Sequence, residues 1–348
     1  MINLKTFKKN LVFKFPAGTS RGILKVKPSW YFILKDTNLP TKEFVGECGL
    51  LPNLSIDDRQ GYEIFLNKIT ERINDSQNLD SIDDLTGWPS IRFGLEMLKL
   101  DYHSGNRILF STPFTEGKYS IPINGLIWMG EKKFMYNQIK NKLEEGWKCI
   151  KIKIGAINFN EELSLLKYIR NQFSASDIEI RVDANGAFNF NNALEKLKRL
   201  SEFDLHSIEQ PIKQGQIEEM SRLCEITPLP IALDEELIGI NKIEDKYNLL
   251  NTIKPQFIIL KPSLTGGIEA SQEWIDVAKK LKIGYWVTSA LESNIGLNAI
   301  AQWAATLDKD IIHGLGTGQI YTNNIDSPLE VNKGYLLYNP NSKWGEVY

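Results

Sequence analysis

Cysteine and histidine are both scarce in this chain of 348 residues, which has three of each. Cys48, Cys149 and Cys224 are far apart, odd in number and never arranged as C-x-x-C. That pattern encodes neither a disulfide framework nor a thiolate zinc site. His103, His206 and His313 are too few for chemistry built on several imidazoles, so acid–base work falls to carboxylates, Lys, Tyr or Cys. No run of about 18 apolar residues occurs, and the start, MINLKTFKKNLVFKF, lacks an apolar stretch of signal-peptide length. Cytoplasm is the expected compartment. A formal net charge of −2 offers nothing to nucleic acid or to an anionic membrane, so neither is an expected partner. Low-complexity segments and repeats of fixed sequence are missing too.

What is present divides in two. Residues 11–50 hold β-type stretches such as LVFKF and SWYFIL, broken by the turn-rich PAGTSRG. Two helical patterns follow, one with Ile64, Leu66, Ile69 and Ile73, the other with Phe93, Leu95, Leu98 and Leu100. Strands followed by helices predict an α+β unit over residues 1–120. From about Ile121 short apolar runs alternate with amphipathic segments: GLIWMG, CIKIKIG, IEIRVDAN, LHSIEQP, IALDEEL, FIILKPSL, YWVTSALES and IIHGLG. Eight such runs with helical linkers predict a parallel β/α barrel over residues 121–324. The tail, 325–348, reads as strand and is expected to return to the first unit. The rival, an open doubly wound sheet, usually carries a Gly-rich phosphate turn, and neither G-x-G-x-x-G nor G-x-x-x-x-G-K-[ST] stands here.

The polar residues concentrate at the ends of the barrel runs. Lys153, Asp183, Glu209, Asp234 and Lys261 follow one another at intervals of 25 to 30 residues, about one β/α unit each, so each can occupy the same place on a successive strand. Strand ends on that face of a barrel converge on the active site. Three neighbouring carboxylates repel one another unless a cation lies among them. Oxygen-only ligands select a hard ion, which points to Mg²⁺, with Mn²⁺ as a possible substitute. A lysine beside such an ion is pushed towards its neutral form and becomes a base near neutral pH. A lone charge at a strand end is ordinarily just solvated; five in register are not an ordinary occurrence. His206, His313 and Cys149 are expected to pack or hydrogen-bond, and Gly155, Gly266 and Gly267 to make turns.

The segments KIKIG, RVDANGAF, SIEQP, ALDEE and ILKPSLTGG resemble the ordered signature of the enolase superfamily, in its muconate-lactonising subgroup. The resemblance covers nearly the whole chain. It implies a modified (β/α)7β TIM-like barrel with an α+β capping domain built from the N-terminal third and the C-terminal tail. FPAGTSRGIL, GECGLLPNLS and the pair LKPSLTGG with VTSALESNIGL are similar to segments of its o-succinylbenzoate synthase family, which serves menaquinone biosynthesis. The resemblance implies Asp183, Glu209 and Asp234 as ligands of Mg²⁺, Lys153 as general base and Lys261 as the charged partner that stabilises an enolate. The substrate it implies is a small-molecule carboxylate. Lys151 flanks the base and is expected to bind substrate, and Asn185 is expected to orient the ligand set. Ser289, Glu292 and Ser293, with Thr19, Ser20 and Arg21 of the capping loop, are the implied substrate contacts.

Two departures stand out. The second acidic motif reads E-Q-P, with Gln210 expected on the face opposite Glu209, and the third reads D-E-E in place of the frequent D-E-S. N-acylamino acid racemases and dipeptide epimerases of the superfamily share the five charges. Dipeptide epimerases usually carry D-x-D on the eighth strand, where this chain reads IIHGLGTGQ without an acid. A non-catalytic barrel is a third alternative, with no reason to keep five charges in register. The oligomeric state is left open.

Overall fold

The computed structural model describes residues 1–19 and 22–348. In the N-terminal third, β1 (Ile2–Thr19) pairs antiparallel with β2 (Gly22–Asp36), which pairs with β3 (Glu43–Cys48). Alternate residues of this sheet, among them Leu4, Phe32, Leu34 and Phe44, bury one face against α1 (Tyr62–Ser76) and α2 (Pro89–Ser104). Within α1 the apolar stripe is Leu66, Ile69 and Ile73; Ile64 is 63% exposed, because residues two apart on a helix do not share a face. Helix α2 has two apolar sides. Ile91, Leu95 and Leu98 join the capping core, whereas Phe93 and Met97 join the core of the barrel. The helix therefore cements the two units.

The seat of α2 on β3 depends on glycine. A Cβ on Gly46 would lie 1.9 Å from the Gly94 carbonyl oxygen, and one on Gly94 would lie 2.5 Å from Cys48 Sγ. The first is a backbone approach that no side-chain rotation relieves, and at Gly94 the backbone of Glu47 and Cys48 lies only 3.2 Å away as well. Gly46→Ala is expected to destabilise the protein by about 3 kcal/mol, read as a lowered urea midpoint. An unchanged midpoint would mean that the helix sits further from the strand.

The second unit begins at β4 (Ile121–Pro122). After it, β5 (Gly125–Ile127), β6 (Cys149–Lys153), β7 (Glu179–Asp183), β8 (Ser207–Glu209), β9 (Ile231–Leu233), β10 (Phe257–Leu260) and β11 (Gly284–Val287) form a seven-stranded sheet in chain order. Its neighbours are parallel throughout. The crossovers are α3 (Lys132–Glu144), α4 (Phe159–Arg170), α5 (Phe190–Ser201), α6 (Ile217–Ile226), α7 (Ile243–Ile253), and the pair α8 (Pro262–Thr265) and α9 (Ile268–Lys280). Outward strand residues such as Ile150, Val182, Ile208 and Ile258 pack with the inner faces of these helices in one continuous core.

Closure falls on the run IIHGLG, through bridges and not a full strand. Thr288 bridges Gly314 and Ile123 bridges His313, with His313 N donating to Pro122 O at 2.9 Å and Gly314 N to Val287 O at 2.8 Å. A Cβ at Gly314 would meet Thr288 Oγ1 at 2.4 Å, so a bulkier residue would pry the seam apart. After α10 (Asn294–Ala304) the chain forms a hairpin, β12 (Leu329–Asn332) and β13 (Tyr335–Tyr338), which pairs with β4. The last residues reach the capping sheet, where Val347 packs with Tyr31, Ile33 and Val45.

His313 makes closure sensitive to acid. It is buried, its Nδ1 accepts from Val287 N at 3.1 Å, and burial together with the Arg181 charge pushes its pKa down to about 3. The imidazole is neutral in the fold but takes a proton near pH 6.5 once unfolded. Its contribution is therefore complete above about pH 6.5 and is lost as pH falls towards its folded value. Between about pH 7 and about pH 4.5 the stability advantage over a His313→Gln variant should shrink by about 2–3 kcal/mol. Urea unfolding at both pH values measures it; a constant difference would contradict a buried neutral imidazole.

Candidate active site

Parallel register sets Lys153, Asp183 and Glu209 side by side, and side-chain contacts bring Asp234 and Lys261 to them in one layer. Lys153 is paired with Asp183 across β6 and β7, and Asp183 with Glu209 across β7 and β8. Asp234 directly follows β9 and Lys261 directly follows β10. Because alternate residues of a strand share a face, Lys151 points inward one step below Lys153. Two ammonium groups are threaded among the acids. Lys151 Nζ lies 3.1 Å from Asp183 Oδ2 and also bonds Glu209 Oε2. Lys261 Nζ pairs with Asp234 Oδ2 and lies 3.7 Å from Glu209 Oε1. Lys153 Nζ stands 2.9 Å from Asp183 Oδ2 and donates to Asn185 Oδ1 at 2.7 Å.

The electrostatics follow from this interleaving. Burial opposes charge on Asp183, yet Lys151, Lys153 and Lys261 outweigh it and hold the carboxyl below the ordinary range. Burial likewise opposes the Lys151 and Lys261 charges. Asp183 and Glu209 raise Lys151, and Asp234 and Glu209 raise Lys261, above the usual lysine value. Both therefore stand as ammonium ions.

Asn185, at φ 43°, lies just past the end of β7, donates its backbone N–H to Asp183 Oδ1 at 3.0 Å and its amide to Glu235 at 3.2 Å. Gln210 is wholly buried and is not idle on a far face. With φ 39° it turns the chain so that its amide donates to Glu236 at 3.1 Å while its oxygen accepts from Asp234 N at 3.2 Å. The two departures in the acidic motifs thus meet each other and link the ends of β8 and β9.

Can this set hold a divalent ion? Among the described residues no three acidic, histidine or cysteine side chains are gathered closely enough to do so as they stand. The chemistry of the donors nevertheless fits. Asp183, Glu209 and Asp234 are buried at three successive strand ends, and Glu209 Oε1 has no hydrogen-bond partner. A buried carboxylate oxygen that makes no hydrogen bond, and that the Lys261 ammonium approaches only to 3.7 Å, retains acceptor capacity for a further cation.

Above this layer lies a cleft with about 890 Å³ of free space, its open mouth included. Its floor is Lys151, Lys153, Asp183, Asn185 and Lys261; its apolar wall includes Leu24, Leu51 and Leu54 of the capping unit with Leu126 and Trp128 of the barrel. Thr288, Ser289 and Thr317 form a polar side, where Ser289 and Thr317 hydroxyls are 2.6 Å apart. Ser289 therefore lines the cleft, but Glu292 and Ser293 do not. Leu291 takes φ 63° and turns the chain, so that Glu292 bonds Ser263 and Ala290 N and Ser293 bonds Glu47, all behind the wall. Burial lifts the Glu292 carboxyl to about 6 despite Lys27 and Ser263. Ser20 and Arg21 lie outside the described residues. Asn124, Thr288 and Thr317 also line the cleft and were not anticipated. Asn124, closing the run IPIN, had the strand-end position that marks such residues. Of the other polar candidates, His206 stacks on Phe257 at 4.8 Å and bonds Ser207, and Cys149 is buried against Glu179.

Comparison with known proteins agrees with this architecture. Residues 135–341 match the family described as enolase C-terminal domain-like. The o-succinylbenzoate synthase of Desulfotalea psychrophila is 47% identical, over 94% of this chain and 96% of that one. The crystal structure of MenC from the same organism superposes with a TM-score of 0.84 at 43% identity, covering 97% of this chain and 99% of that one. The L-Ala-D/L-Glu epimerase of Bacillus subtilis shares the fold, with a TM-score of 0.79 at 17% identity over 99% of this chain and 97% of that one. The chain belongs to the enolase superfamily and, within it, to the o-succinylbenzoate synthase family.

Proposed function

We propose that this chain catalyses the syn dehydration of 2-succinyl-6-hydroxy-2,4-cyclohexadiene-1-carboxylate to o-succinylbenzoate, a step of menaquinone biosynthesis. The observation that carries the reading is one cleft floored by Lys153 and Lys261, which stand on β6 and β10 with the three carboxylate-bearing strands between them. Asp183, Glu209 and Asp234 would hold Mg²⁺, with Mn²⁺ as a substitute. When bound, the ion supplies positive charge where the substrate's carboxylate gains negative charge.

In this reading Lys153 acts as the amine. It takes the proton from the carbon that bears the carboxylate. The resulting ammonium then protonates the departing hydroxyl on the same face. The products are water and an aromatic ring, and Lys153 is left neutral for the next turnover. Lys261 remains an ammonium throughout, faces the enolate charge and attracts the forming ring through a cation–π contact. Asn185 holds Lys153 in line through its 2.7 Å bond. The leucine wall excludes water and suits the ring and the succinyl methylenes. Ser289 and Thr317 suit the distal carboxylate.

A second reading, N-acylamino acid racemisation, is favoured by one observation: a lysine on each side of the site is what two-faced proton transfer needs. Dipeptide epimerisation is disfavoured by the absence of an acid in residues 312–318. Parallel assays separate the readings. Dehydration followed by loss of the diene absorbance, and racemisation of an N-succinylamino acid, are each measured in Mg²⁺. Racemisation without dehydration would move the chain to the racemase branch.

No helix among the described residues is long and apolar enough to cross a membrane. The cytoplasm is our reading of the compartment, with a small-molecule substrate and no nucleic acid as partner.

A further inference from the structure

Two glutamates of the capping unit are used alike, and neither lines the cleft. Glu96, on α2, accepts from Ile268 N at 2.6 Å and Glu269 N at 2.9 Å, the opening amides of α9. Glu47, near the end of β3, is wholly buried. It accepts from Ser293 N at 2.9 Å, Ser293 Oγ at 2.6 Å and Gly296 N at 2.8 Å at the start of α10, and from Ser29 Oγ at 2.6 Å on β2. The first amides of a helix have no partner within it and carry partial positive charge. Each carboxylate supplies what one barrel helix lacks. A Cβ on Gly267 would lie 2.1 Å from Glu96 Oε2, so glycine at that position admits the carboxylate. Burial pushes the Lys27 amine down, and the neighbouring Glu47 and Glu292 partly oppose it.

The two helices are those that follow the working end of the site. Lys261 leads through α8 into α9, and its carbonyl accepts from Leu264 N at 2.8 Å and Thr265 N at 3.0 Å. The lining segment Thr288–Leu291 leads into α10. On the other side, Glu47 is followed by the lining segment Leu51–Leu54. The gap between the capping wall and the barrel wall is thus spanned by these two contacts. We infer that Glu47 and Glu96 are positioning residues for the reaction: they set the width of the cleft, and so how firmly the substrate is held against Lys153 and Lys261. The inference rests on the dehydration reading for its kinetic consequence, but not for its structural one.

The test compares wild type, Glu96→Gln and Glu47→Gln in Mg²⁺. The lysine ammonium groups are held by Asp183, Asn185 and Asp234 and not by either glutamate, so KM should rise about tenfold or more while kcat stays within about threefold. Hydrogen exchange read without substrate should quicken in residues 51–54 and 289–291 and stay unchanged in the barrel strands. Glu96 is half-buried, so its variant folds even where Glu47→Gln does not. A lowered melting temperature with KM and exchange unchanged would overturn the inference and leave both residues merely structural. Should wild type fail to dehydrate the diene, the reading of activity falls, and the exchange data alone decide the docking role.

Discussion

Lys153→Ala is expected to lower kcat by about 10³-fold or more with the fold and divalent-ion binding retained. The size of the effect follows from what nothing else can replace. Lys151 is committed to Asp183 and Glu209 and is held charged by them, so it is not free to accept a proton. Lys261 lies across three strands and is held charged by Asp234 and Glu209. Truncating Lys153 removes a strand-end group that lines the cleft and no core volume, and Asp183 keeps Lys151 as its cation. Steady-state rates beside thermal melts in Mg²⁺ check this. Activity above a few per cent of wild type would remove Lys153 from the role of base.

Asp234→Asn is expected to weaken divalent-ion binding by about a hundredfold and to lower activity in parallel. The amide keeps the shape of the carboxylate but supplies no charge to a hard cation, and Lys261 loses the partner it contacts most closely. A metal that binds the native state raises the melting temperature by mass action, so the concentration of Mg²⁺ needed for half the rise reports affinity without any assay of turnover. A titration that matches wild type would remove Asp234 from the ligand set, whatever happens to activity.

The strand ends were legible because two regularities coincide there. Alternation puts Lys151 and Lys153 on one face, and the repeat of the β/α unit puts Lys153, Asp183, Glu209, Asp234 and Lys261 at successive strand ends; register sets the first three side by side, and side-chain contacts bring Asp234 and Lys261 to them. The capping wall had no such period. Leu24, Leu51 and Leu54 line the cleft only because β2, β3 and α2 dock on the barrel through contacts such as Glu47 with Ser293 and Glu96 with Ile268. Nothing in the local sequence reveals where a loop ends up after docking. Glu292 and Ser293 illustrate the converse: the family resemblance implied the cleft, but the left-handed turn at Leu291 sends both behind the wall. Closure of the barrel was legible as a run, IIHGLG, while its reduction to bridges at His313 and Gly314 depends on the tight approach of Thr288.

On the proposed reading this site removes water from a cyclohexadiene carboxylate with the help of a divalent ion. That reading is tested most directly by following the diene absorbance of 2-succinyl-6-hydroxy-2,4-cyclohexadiene-1-carboxylate after adding the protein in Mg²⁺, and again after EDTA. Rapid loss of absorbance that EDTA stops and fresh Mg²⁺ restores is expected. An unchanged absorbance in Mg²⁺, or a loss indifferent to EDTA, would contradict it.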